Sequence, residues 1–246
     1  MAKTLDILGV EVKAVTGAEA IRLIDTQCDR GIPVKLAYLN SHTSNTAAQD
    51  PTFAAALREF WVLNDGVGLD VAATLLHGTR FPENLNGTDF TVRYLQETSR
   101  TWRIFLLGAK PGVAELAGQH LARLASRHCI AGVQHGYFKP QDAGAIANTV
   151  RDSGADLILV ALGNPQQEKW IAQYGEATGA RLMVGVGALF DFLSGNVSRA
   201  PEWIRATRSE WVYRLALEPR RLARRYLLGN PYFLARVLRK RLVATS

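Results

Sequence analysis

Between residues 34 and 186, short apolar runs alternate with longer segments of helical period, and that alternation narrows the folds open to the chain. The runs are Val34–Leu39, Trp61–Leu63, Trp102–Leu107, Cys129–Val133, Asp156–Leu162 and Leu182–Val186. Helical periodicity fills 17–30, the stretches on either side of Pro51 across 43–60, then 68–77, 88–98, a segment opened by Pro111 and running to Ser126, 141–153, and a segment after Glu168. Nearly continuous apolar strands separated by helices predict an α/β fold, a parallel sheet with helices on both faces. Ile7–Val12 adds a small hairpin around Gly9. Right-handed crossovers then bring Asn40, Asp65, Gly108, Asn164 and Gly187 to one rim of the sheet, where open sheets of this kind bind ligands.

The chain of 246 residues, 48% hydrophobic, can bury a full core in one or two domains. It has no run of the roughly 18 apolar residues a membrane span needs, and its first residues lack the apolar segment of a secretory signal. Two cysteines, Cys28 and Cys129, support neither a disulfide framework nor a Cys-rich zinc site. A cytoplasmic location is expected. Of 29 basic and 22 acidic residues, 12 and three fall in 199–246, so the tail carries +9 and the body −2. There the strand-like runs stop, and arginines interleave with Trp203, Trp211, Tyr213, Tyr226 and Phe233. This predicts a core over 1–198 and a basic helical C-terminal appendage over 199–246 that meets a localised anionic partner. Clustered Arg and aromatics on short amphipathic helices suit anionic lipid. An acidic body without a recognised binding motif argues against nucleic acid.

Leu63-Asn64-Asp65-Gly66-Val67-Gly68 delivers a carboxylate at a strand end beside two glycines. Chemistry and a simple helix-capping turn both account for that pattern. Gly108–Gly112 and Gly163–Gln166 each place a helix N-terminus after a strand, a setting that suits phosphate. Asn164 reads as an N-cap, with Pro165 in the first turn and Gln167 completing a capping box, or as a ligand contact. A dinucleotide-type glycine fingerprint, a phosphate-loop lysine motif, a nucleophile elbow, Asp-x-Asp and metal-ligand histidine spacing are all missing. A leaving diphosphate would then be met by tail arginines.

Asp65–Gly68, Asn86–Asp89, Phe105–Gly108, His135–Phe138, Gly163–Trp170, Gly185–Phe192, Arg199–Pro201 and Glu210–Leu215 occur in that order. Together they resemble the WecG/TagA/CpsF glycosyltransferases, glycosyltransferase family 26, over about residues 7–240. The resemblance implies a Rossmann-like core whose appendage closes the site and docks at the inner face of the plasma membrane. It implies an inverting, metal-independent transfer from a UDP-sugar to a polyprenyl-diphosphate-linked sugar, with no cofactor. Asp65 matches the family's general base. Asn40, Gly66, Gly68, Asn86, Gly108, Gln167 and Asp191 fall at the donor pocket, and Arg214 and Arg221 where appendage arginines meet the diphosphate. Tyr38 departs from the family's Thr, and Leu85-Asn86-Gly87 from its Val-Ala-Gly or Val-Thr-Gly. The string Asn84–Phe90 resembles exopolysaccharide glucosyltransferase members, so UDP-glucose is the expected donor and UDP-N-acetylmannosamine its rival. A non-catalytic nucleotide-sugar-binding protein at the membrane is the alternative of another class. The oligomeric state stays open, a homo-oligomer included.

Overall fold

A computed structural model describes residues 3–197, 212, 213, 215 and 219–244. Its centre is an eight-stranded sheet in the order β1-β2-β4-β3-β8-β7-β5-β6. The strands are β1 Thr4–Ile7, β2 Val10–Lys13, β3 Val34–Leu39, β4 Trp61–Asn64, β5 Arg103–Gly108, β6 Cys129–Gln134, β7 Leu157–Ala161 and β8 Leu182–Gly185. Only β1 runs antiparallel, as one arm of the expected hairpin with β2.

The helices are α1 Gly17–Asp29, α2 Ser41–Gln49, α3 Pro51–Leu57, α4 Val67–His77, α5 Gly87–Glu97, α6 Val113–Leu124, α7 Ala143–Asp152, α8 Gln166–Tyr174 and α9 Leu189–Leu193. After them come α10 Pro219–Ala223, a π-helical turn Arg224–Leu228, and α11 Gly229–Ala244. Side-chain caps start several of them where the sequence offers one. Thr16 and Glu19 form a full capping box on α1, and Asn40, Asp50 and Asn86 cap α2, α3 and α5. Pro111 does not open α6. Gly112 takes a left-handed φ of 84°, so the helix begins at Val113.

Strand residues alternate between two cores, as the pleat requires. Ala37 and Leu39 of β3 join the cluster under α2, α3, α4, α7, α8 and α11, while Leu36 and Tyr38 join that under α1, α5, α6 and α9. The chain therefore leaves β3 towards one face and the adjacent β8 towards the other. A crevice opens at the carboxyl ends of such a strand pair.

The C-terminal segment is more than an outer layer. α11 packs on α2 and α4, and its Phe233 and Val237 are fully buried in the first core. Arg236 donates to the Ser44 carbonyl and Asn45 Oδ1, each at 3.0 Å, while Asn45 Nδ2 donates to the Gly229 carbonyl at 2.8 Å. Lys240 pairs with Asp6 of β1. The junction at 198/199 lies outside the described residues. Among those described, no helix is long and apolar enough to cross a membrane.

Candidate active site

Asp65 follows β4 directly, and its N–H donates to the Leu39 carbonyl at 2.8 Å, extending the β3–β4 ladder to the rim. Asn40 follows β3. Its Oδ1 caps α2, accepting from Thr43 N at 3.0 Å and Thr43 Oγ1 at 3.2 Å. Those contacts fix the sense of the amide, so the NH2 must point the other way. It donates to Asp65 Oδ2 at 3.0 Å. A residue placed by a helix cap thus orients a carboxylate on the neighbouring strand.

Gly66 adopts φ 91°, and a Cβ there would meet nothing within 4 Å, so the backbone beside Asp65 borders open space. Its N–H donates to Asn84 Oδ1 at 2.8 Å. Asn64 Nδ2 donates to the Glu83 carbonyl at 2.9 Å and its own carbonyl accepts from Leu85 N at 3.1 Å. The loop before α5 is thereby laced to the strand that delivers Asp65. Glu83 ties the same loop to Gly17 N and Arg93.

The other expected positions divide by environment. A Cβ at Gly68 would stand 2.6 Å from Ser41 Oγ, so this glycine lets the starts of α2 and α4 meet. One at Gly108 would stand 2.4 Å from the Ala161 backbone, a close approach within the sheet. Asn86 spends both ends of its amide on Asp89, at 3.0 and 2.8 Å, in capping α5. Gln167 is buried and bridges two turns. Its Oε1 accepts from Gly187 N at 3.1 Å and its Nε2 donates to Glu168 Oε1 at 2.8 Å. Asp191 lies half-buried on α9, next to the β8 crevice. Arg221 lies on α10, but its side chain and the whole of Arg214 fall outside the described residues. The capping box expected at Asn164 does not form. Pro165 occupies the cap position of α8 without a side-chain cap, and Asn164 Nδ2 donates to Glu168 Oε2 at 3.1 Å.

Three contributors were not among the expected site residues. Tyr38 is buried with its OH 3.1 Å from Thr91 Oγ1, and burial pushes its phenol well above the usual range. A Cβ at Gly87 would fall 2.7 Å from the Tyr38 ring, so that glycine and tyrosine are matched. Asn84, which opens the string Asn84–Phe90, holds Gly66. Glu168 underlies Gln167, and burial raises its carboxyl. Among the described residues, no group of three or more His, Cys, Asp or Glu side chains could hold a metal ion.

A strand-end carboxylate oriented at the crevice of a parallel sheet is an arrangement many folds could carry; the ordered motifs around it are specific. The family model for the WecG/TagA/CpsF glycosyl transferases matches residues 5–246. The chain belongs to that family. It is a glycosyltransferase. Among curated relatives, the N-acetylglucosaminyldiphosphoundecaprenol N-acetyl-beta-D-mannosaminyltransferase of Bacillus subtilis (strain 168) is 32% identical over 214 residues, 86% of this chain and 82% of the relative. The transferase of the same name from Bacillus spizizenii is 31% identical over 216 residues, 87% and 82% of the two chains. Both names carry the rival donor sugar. The glucosyl donor and the exopolysaccharide setting expected from Asn84–Phe90 find no support in these WecG/TagA/CpsF relatives. A short string shared with one branch reports local loop structure, here the cap and lacing of α5, as readily as it reports a sugar.

Proposed function

We propose that the chain transfers an N-acetylmannosaminyl group, with inversion, from its UDP-linked donor to a sugar carried on a polyprenyl diphosphate. The observation that carries this reading is Asp65, fixed by Asn40 at the crevice beside the open space at Gly66; the relatives supply the sugar and the acceptor. The acceptor hydroxyl gives its proton to the Asp65 carboxylate as its oxygen attacks the anomeric carbon. The bond from that carbon to the diphosphate breaks on the opposite face, and UDP leaves. The open flank at Gly66 gives the donor room, Asn40 and Asp191 line the approach, and buried Gln167 serves the donor site by holding the turn at Gly187. The tail arginines, Arg214 and Arg221 among them, offset the charge of the diphosphate without a metal.

The acceptor's lipid places the reaction at a membrane surface, which we assign to the inner face of the plasma membrane. Leu227, Leu228 and Tyr232 are exposed beside Arg224 and Arg239, an apolar and basic face suited to anionic lipid.

The test is a panel of UDP-sugars offered with a prenyl-diphosphate-linked N-acetylglucosamine acceptor, read by product mass and released UDP. UDP-N-acetylmannosamine should be consumed; turnover with UDP-glucose in its place would return the donor to the hexose. Asp65→Asn should abolish transfer while UDP still binds, and full turnover in that variant would remove Asp65 from the base role.

A further inference from the structure

Glu168 is the most buried carboxylate described, 1% exposed, and no cation pairs with it among the described residues. Its side-chain partners are two amides: Gln167 Nε2 donates to Oε1 at 2.8 Å and Asn164 Nδ2 to Oε2 at 3.1 Å. Gln167 then accepts from Gly187 N at 3.1 Å, and Gly185 lacks a Cβ where one would lie 2.8 Å from Gln167 Nε2. One chain of hydrogen bonds therefore links the turn after β7 to the turn after β8, the second of which leads into α9 and Asp191.

The identity of the acid matters because an ionised carboxylate only accepts, whereas an amide can present either end. With Glu168 ionised, both neighbouring amides must turn their NH2 groups towards it. Gln167 is then obliged to show its oxygen to Gly187 N–H. Were position 168 able to donate, Gln167 could invert and set its NH2 against that N–H, and the turn after β8 would lose its anchor.

We propose that Glu168 is a positioning residue of the donor site, imposing a single amide sense on Gln167 and so fixing the Gly187 turn. This rests on reading the rim as a donor site. The residue touches no substrate; it acts through Gln167. Protonation removes the constraint, since the acid form can donate.

Burial holds the carboxyl's pKa above the usual range, countered in part by Gln167, by the residue's own backbone N–H and by Asn164. The charged groups brought by the elements packed on α8 are Lys169 with Asp50, Lys35 with Glu59 and Glu176, and Asp142, Arg151 and Asp152 of the α7 region. None of them is a cause of that shift. Donor affinity should therefore fall as pH drops through the raised range of Glu168.

The experiment compares wild type with Glu168→Gln by UDP titration calorimetry across pH, thermal melting, and hydrogen exchange at the Gly187 amide. Expected for the variant, against wild type on its high-pH plateau, are a UDP affinity about tenfold weaker, the scale of one lost buried hydrogen bond, faster Gly187 exchange, a flat pH dependence and an undiminished melting temperature. Unchanged exchange together with unchanged affinity would overturn the proposal. If the variant melts early, the double variant Asn164→Asp with Glu168→Gln decides. There the acceptor-only group sits at 164, the new amide at position 168 must donate to it, and that amide's oxygen again takes the Gln167 NH2. Restored affinity supports the inference, and a stable double variant that binds as weakly as the single one refutes it. A wild type that binds no UDP would sink the proposed function, while Gly187 exchange would still decide the role of Glu168.

Discussion

Asn40 is the residue on which the geometry of Asp65 turns. Its oxygen is held by the cap of α2 and its nitrogen by the carboxylate, so the two ends can be tested apart. Asn40→Asp keeps the cap, for which Asn and Asp are nearly equal, but sets a second carboxylate about 3 Å from Asp65. Two such groups do not readily ionise together. The expected outcome is a folded enzyme whose transfer rate at pH 7 falls by about tenfold or more and recovers in part at higher pH. A rate and pH profile matching wild type would separate Asn40 from Asp65 function. Both residues were legible in the sequence because each ends an apolar run. Their contact was not, since it depends on β3 and β4 being neighbours, an order the sequence leaves open. Glu168 was hidden for another reason: beside a proline and two glutamines nothing in the sequence marks it as buried, and only the packed structure shows that it is.

At the scale of elements, the alternation of runs placed nearly every strand, and strand ends fell within a residue or two because glycines and capping residues mark them. The C-terminal helix was expected as part of a basic appendage, and the structure adds a buried stripe that its composition hides. Phe233 and Val237, four residues apart, belong to that stripe, among arginines that give no sign of it in the sequence. Arg236 shows how both hold: its guanidinium reaches back to the Ser44 carbonyl and Asn45, so a basic residue staples a buried helix face. Phe233→Ala should cost about 3–5 kcal/mol of stability, measured by denaturant unfolding, and should loosen α2 and α4, which follow Asn40 and Asp65. A loss under about 1 kcal/mol would mean that the helix adds little to the core. Cutting the chain at 199 would remove this packing, so a truncated protein that lost activity would say nothing about membrane docking. The cleaner probe replaces Leu227, Leu228 and Tyr232 by Ser. Sedimentation with phosphatidylglycerol vesicles should weaken while the melting temperature holds, and unaltered sedimentation would exclude that face.

For the molecule as a whole, the uneven charge was plain from the sequence, but which core groups the basic segment influences was not. His42, on α2 two residues beyond Asn40, answers part of that. Burial, helped by the charge of Arg225 from the C-terminal segment, lowers its pKa from 6.5 to about 4. The unfolded chain therefore binds the proton more tightly than the folded one. Its contribution to stability is fully present above pH 6.5 and is lost as pH falls from 6.5 towards about 4. Glu168 slopes the other way, because the folded state retains its proton into a higher pH range than the unfolded state does, and stability falls as pH rises through that range. Removing one group should thus expose the other. His42→Gln should flatten the decline of melting temperature between pH 6.5 and about 4, and combining it with Glu168→Gln should remove the opposing slope as well. If the single variant declines as steeply as wild type over that interval, His42 is not the group that links the basic segment and the head of α2 to acid stability.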